Sequence, residues 1–263
     1  MTTTDEQTPA GERTKLVLQR LGLVVLLVGI WWLFSLATPP YILPSPARVW
    51  TRIVTLTQSG DLPYNLLTTL ARVLAGFALA VVIGVPGGIL LGSHRALGTF
   101  FEPILPVMNT VSSAIWAIFA IIWFGLSPAT PIFVVLMTAF PLIVTNVWQG
   151  TQAVNADYVE LAQALRFSRA KTLSKIYLPS ILPYFFSGAR LAFGFGWRVS
   201  LVAETLGASS GVGYRLRQAS DLIQMDQVFA WTIVQVAMML VIEIGVLAPL
   251  ERHLFRWRRD VRA

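Results

Sequence analysis

The chain has 263 residues, of which 55% are hydrophobic and only 13% charged, with a mean hydropathy of +0.66. A soluble domain carries about a quarter charged residues, so the composition excludes one and points to a chain threaded through a bilayer. The net charge of +7, with 20 Lys and Arg, does not indicate nucleic acid, because these residues flank apolar runs and orient them in a membrane. With no cysteine, disulfides and thiolate metal sites are excluded.

Residues 1–15 are polar, too hydrophilic for a signal peptide, and read as a disordered cytoplasmic tail. Residues 16–251 form the transmembrane part, and 252–263 a basic cytoplasmic tail. Six apolar runs lie near Leu21–Ala37, Val73–Leu91, Pro103–Trp123, Pro131–Trp148, Pro183–Thr205 and Phe229–Pro249. Each approaches the roughly 20 helical residues that cross about 30 Å of hydrocarbon. None shows the strict alternation of a barrel strand. The expected fold is an all-α membrane protein with six transmembrane helices.

With the N-terminus inside, thirteen Lys and Arg fall in cytoplasmic stretches, against five outside: Arg48, Arg52, Arg72, Arg215 and Arg217. Positive charge is retained on the cytoplasmic side, which puts both ends there.

After the first run, Ser45 and Pro46 read as the cap and first-turn proline of a short helix with Val49, Trp50, Ile53 and Val54 on one face. Asp61 and Pro63 open another that runs on into the second span. Packing on the membrane surface and partner binding both fit this pair. Gly84, Gly88 and Gly92 recur at intervals of four around Pro86. Small residues one turn apart let helices approach closely in lipid, either within one bundle or between subunits. Asn109, Ser112 and Ser113 near the third span, and Asn146 and Gln149 closing the fourth, either satisfy neighbouring helices or touch cargo. Trp116, Trp123, Trp148 and Trp197 read as interfacial anchors or packing.

The stretch 157–180 organises the rest. Asp157 with Glu160 three residues on reads as a capping box that starts a helix near Tyr158. Leu161, Ala162 and Leu165 share one face of it. After a break near Phe167, Ser168 caps a second short helix carrying Leu173, Ile176 and Tyr177, which Pro179 stops. Arg166, Arg169, Lys171 and Lys175 make the unit cationic. On charge alone it either seats in a partner protein or lies on anionic headgroups.

Further on, Arg190 falls about 10 Å into the fifth span at about 1.5 Å per residue, and Glu243 lies at a comparable depth in the sixth. An intramembrane charge needs a partner or a wet cavity, so the two are expected to pair, with a substrate contact as the alternative. Arg198, beside Trp197, lies nearer the middle of the membrane. It either draws anions along an aqueous path or donates to carbonyls of a neighbouring helix. Glu204 ends the span, and the glycines of Gly207–Tyr214 permit a tight turn.

The spacing Glu160-Leu161-Ala162, three residues, Arg166, nine residues, Ile176-Tyr177-Leu178-Pro179 resembles the EAA motif of permease subunits in bacterial ABC importers. That motif reads Glu-Ala-Ala, three residues, Gly, nine residues, Ile-x-Leu-Pro, and five of its seven named positions match. Leu161 departs at one alanine, and Arg166 replaces the glycine of the turn, where a left-handed backbone costs arginine on the order of 1 kcal/mol. From Pro44–Pro46 through Gly211–Tyr214 the chain is similar to the sulfonate, taurine and nitrate branch.

The resemblance implies a type I importer permease fold in the bacterial inner membrane. It also implies a second permease subunit, usually a copy, two cytoplasmic ATPase subunits that carry ATP and Mg, and an extracytoplasmic solute-binding protein. Glu160, Leu161, Ala162, Leu165, Arg166, Phe167, Arg169, Lys171, Ile176, Leu178 and Pro179 then become the seat of the ATPase. Arg198 falls on the translocation path, and Glu204, Gly211 and Gly213 at the outer gate.

No GxxxxGK[ST] loop, GxSxG elbow or HExxH pair occurs, and His94 and His253 lack metal-ligand spacing. The chain therefore reads as no enzyme and without a cofactor of its own. A secondary transporter or channel is the rival class, which would show an internal repeat; none is visible.

Overall fold

The computed structural model describes residues 10–254, in which every regular element is a helix. In chain order these are α1 (Ala10–Ala37), α2 (Pro46–Gln58), α3 (Asp61–Ser93), α4 (Arg95–Phe101), α5 (Ile104–Thr110), α6 (Ser113–Phe124), α7 (Ala129–Gln152), α8 (Ala156–Ala164) and α9 (Arg169–Thr172). A π-helical turn at Leu173–Tyr177 leads into α10 (Leu178–Gly207), followed by α11 (Val212–Asp221) and α12 (Met225–Ile242). A second π turn at Glu243–Leu247 joins α12 to α13 (Ala248–Leu254). The expected tails lie largely outside the described residues, although α1 already begins at Ala10, within the stretch read as tail.

The core is built on α7, which packs between α3 and α10. Val134, Val135, Ala139, Ile143 and Val147 are fully buried along it. The glycines of α3 explain the close approach: a Cβ at Gly88 would lie 2.7 Å from Val147 Cβ, and one at Gly92 only 2.4 Å from Thr151 Cβ. The glycine stripe is thus used within the chain, in contact with α7. On the other side, Gly188 of α10 leaves room for Asn146, whose amide donates to Leu142 C=O at 2.8 Å.

Three helices are long and apolar enough to cross a membrane by themselves: α3, α7 and the rod Met225–Leu254. The third expected span, Pro103–Trp123, is not one helix. Val111 and Ser112 are extended, Ser112 Oγ accepts from Ala114 N–H at 3.4 Å to start α6, and the chain bends by 92° there. Taken as one crossing, the bent pair makes a fourth. α10 has 30 residues, about 45 Å at 1.5 Å per residue, but carries Arg190, Arg198 and Glu204. The apolar part of α1, Leu21–Ala37, is short.

Of the tryptophans, Trp197 is buried and donates Nε1–H to Gln235 C=O at 3.3 Å, whereas Trp116 and Trp123 join Phe119 and Phe133 in an aromatic cluster.

Candidate functional site

Two regions and one long helix between them hold most of the sequence-predicted residues. The first region follows α7. Asn155, not Asp157, caps α8: its Oδ1 accepts from Asp157 N–H at 2.9 Å, so the helix begins two residues before the expected start. Asp157 sits instead in the first turn, where its charge favours the helix dipole.

α8 ends where Phe167 N–H reaches back to Ala162 C=O at 2.9 Å, with Arg166 at φ 54. This six-to-one closure is a Schellman turn, whose left-handed position normally falls to glycine. The substitution of arginine into the motif therefore leaves the turn geometry intact and carries backbone strain. Leu161 and Leu165 are 56% and 59% exposed, and Lys171 Nζ stands 4.0 Å over the Phe167 ring. Ala162 is 2% exposed, so it cannot project into a partner. The side chain of Arg169 lies outside the described residues.

Ser168 Oγ accepts from Lys171 N–H at 3.3 Å and caps α9 as the spacing predicts. Pro179 does not stop the helix that follows. Leu178 N–H bonds five residues back to Leu173 C=O, and this wider turn takes the ring that would otherwise clash with the carbonyl four residues earlier. α9, the π turn and α10 consequently run on from Arg169 to Gly207 without a break.

The second region closes the far end of α10. Glu204 is fully buried. Its carboxylate accepts from Arg72 Nη1 at 2.8 Å, Thr69 Oγ1 at 2.8 Å and Gly213 N–H at 3.0 Å. Arg72 also donates to Ser210 C=O and Ser210 Oγ, each at 2.7 Å. Thr69 Oγ1 accepts from Val212 N–H at 2.9 Å, and Asn65 Oδ1 from Gly211 N–H at 2.8 Å.

One face of α3 thus clasps the turn between α10 and α11. The space is shaped for glycine: at Gly211, with φ 102, a Cβ would fall 2.4 Å from Glu204 Oε1, and at Gly213 one would fall 2.5 Å from Leu201 C=O. Sequence reading assigned Glu204 and both glycines to this end but missed Asn65, Thr69 and Arg72, counting Arg72 as an outer charge. Their signal was present, since Asp61, Asn65, Thr69 and Arg72 recur at helical spacing in an apolar stretch.

Between the two regions, Arg190 donates through Nε to Glu243 at 2.7 Å and through Nη1 to Glu251 at 2.7 Å. The pair expected from depth is present, and Glu251 makes it a triad. Its members are 27–45% exposed. Arg198 lies on an exposed stripe of α10 with Leu191, Phe195, Val202 and Leu206. Its guanidinium is 5.7 Å from the Phe195 ring, and among the described residues it makes no ion pair and donates no hydrogen bond, to a helix carbonyl or otherwise. Nor does any group of three or more His, Cys, Asp or Glu there converge as for a metal.

An all-helical chain with three helices, or four with the bent pair, long and apolar enough to cross a membrane, and an exposed α8–α9 segment, fits a multi-pass membrane protein. The chain belongs to the family of binding-protein-dependent transport system inner membrane components, whose model matches residues 84–252. It is 32% identical to the putative aliphatic sulfonates transport permease protein SsuC of Bacillus subtilis (strain 168), covering 83% of this chain and 79% of that one. It is 31% identical to the bicarbonate transport system permease protein CmpB of Synechococcus elongatus, over 74% of this chain and 76% of that one. The fold is shared with the MetNI methionine ABC transporter in an inward-facing conformation, at TM-score 0.64 and 18% identity, covering 73% of this chain and 95% of that one. The protein is therefore a transmembrane permease subunit of an ABC importer, coupled to an ATPase.

Proposed function

We propose that this subunit carries a small oxyanion, of the sulfonate, taurine or nitrate kind, into the cytoplasm through a path shared with a second copy of itself. An extracytoplasmic solute-binding protein delivers the anion, and two ATPase subunits holding ATP and Mg drive the cycle. The chain crosses the inner membrane six times, counting α1, the bent α5–α6 pair and α10 as crossings, with both ends in the cytoplasm.

The observation that carries the reading is the unbroken run from α9 through α10. A motor that seats on Tyr158, Leu161 and Leu165 of α8 pushes, through the turn at Arg166, on the rod that bears Arg198 and, at its far end, Glu204. Exposed apolar anchors with cationic neighbours suit a pocket with an acidic rim. The oxyanion is supported by Arg198, whose guanidinium has no hydrogen bond or ion pair among the described residues and sits on a membrane helix, where facing lipid is costly. The names of two relatives, a sulfonate and a bicarbonate permease, point the same way. Arg190 and its carboxylates act as a structural brace.

Reconstitution with the ATPase and binding protein in liposomes tests both parts. Glu160→Lys abolishes ATP-driven uptake or assembly while the spans still insert; normal uptake refutes the docking role. Arg198→Gln lowers uptake of a sulfonate but leaves basal ATP hydrolysis unchanged, and unaltered uptake removes Arg198 from the path.

A further inference from the structure

A cleft of about 810 Å³ opens between α2 and the turn joining α11 to α12. Its walls include Tyr41, Arg48, Arg52, Ile223 and Asp226. Arg48 and Arg52 are one helical turn apart and so share a face of α2. Arg52 donates through Nε to Asp226 at 2.8 Å, which leaves its terminal nitrogens unengaged among the described residues. Arg48 is exposed and makes no hydrogen bond or ion pair there. Two guanidiniums against one carboxylate leave the cleft cationic, with planar donors suited to phosphate.

The rim indicates which phosphate. Tyr41 and Ile223 in its wall are 61% and 64% exposed, an aromatic and apolar collar that belongs at headgroup depth. Ile223 holds its place at φ 56, a costly backbone for a β-branched residue. The cleft also lies at the end of α1, whose last turns expose Leu33, Phe34 and Leu36 by 61–67%.

We infer that this cleft binds the phosphate headgroup of an anionic phospholipid whose acyl chains lie along the exposed flank of α1. A soluble acidic protein would meet the same arginines only after displacing the lipids that the collar attracts. Bound there, the lipid ties α1 to the bundle, which α1 otherwise joins chiefly through Trp31, by its bond to Pro44 C=O at 3.1 Å and its stacking on Phe229.

The test is native mass spectrometry of the purified full chain in mild detergent, titrated with phosphatidylglycerol or with phosphatidylcholine of the same acyl chains. Phosphatidylglycerol is expected to bind about tenfold more tightly, as one charge-assisted contact of ordinary strength gives. Arg48→Gln removes that preference, and Arg217→Gln, on the exposed side of α11, retains it. Equal binding of the two lipids, or a preference that survives Arg48→Gln, overturns the assignment. Displacement of phosphatidylglycerol by an equal concentration of inorganic phosphate also overturns it, in favour of a free-anion site. If Arg48→Gln keeps the lipid but weakens capture of the solute-binding protein, the cleft is a protein-docking surface and the lipid assignment falls.

Discussion

Cutting the clasp at Glu204 is the most direct way to ask what holds the far end of α10. Glu204 and Arg72 have side chains 0% and 6% exposed and lie 2.8 Å apart. Removing one partner leaves a buried charge uncompensated, which costs about 3–5 kcal/mol. Glu204→Leu strands the Arg72 guanidinium on Ser210 alone, and Arg72→Met leaves the carboxylate with only Thr69 and Gly213. Each single variant is expected to unfold roughly 10 °C earlier in a fluorescence melt of the detergent-purified chain.

The double variant removes both charges and so costs less than the two single losses together, by about 3 kcal/mol. What it still loses is about 3–7 kcal/mol, part of it because the Gly213 N–H is left without its acceptor. A double variant whose loss equals the sum of the singles within about 0.5 kcal/mol refutes the clasp as a coupled unit. Single variants that melt with the wild type refute the buried pair altogether.

Other outcomes follow from positions where the backbone or packing leaves little freedom. Arg166→Gly relieves the φ 54 turn and raises stability by about 1 kcal/mol, read as a higher melting temperature; a drop of that size means the guanidinium makes a contact of its own. Gly92→Leu forces α3 off α7 at Thr151 and costs about 1–3 kcal/mol, so an unchanged melt contradicts the close approach. Gly211→Ala drives a methyl into the Glu204 carboxylate at a positive φ and is expected to match Glu204→Leu in its melting loss. A near-silent Gly211→Ala shows that the turn relaxes without the clasp.

Much of this protein was legible before any coordinates. Composition set the solvent, because 13% charged residues cannot cover a water-exposed surface. Spacing placed the short helix near Tyr158 and the Ser168 cap, and the motif resemblance implied the left-handed turn at Arg166, since these depend on residues within a few positions of one another. The pairing of Arg190 with Glu243 followed from depth alone. Local chemistry was still misjudged where two residues compete for one job, as when Asn155 took the cap expected of Asp157.

Tertiary structure decided what distance along the chain conceals. Whether the glycines of α3 face α7 or a second subunit depends on which flank of the helix is covered, and a repeat of four does not say. Arg72 and Glu204 stand 132 positions apart, so their pairing appears only when α3, α10 and the turn after it are brought together. The bend at Ser112 and the π turn before Pro179 are likewise choices of the packed bundle: hydropathy registers how apolar a run is, while backbone hydrogen bonds and neighbouring side chains determine whether it stays one straight helix.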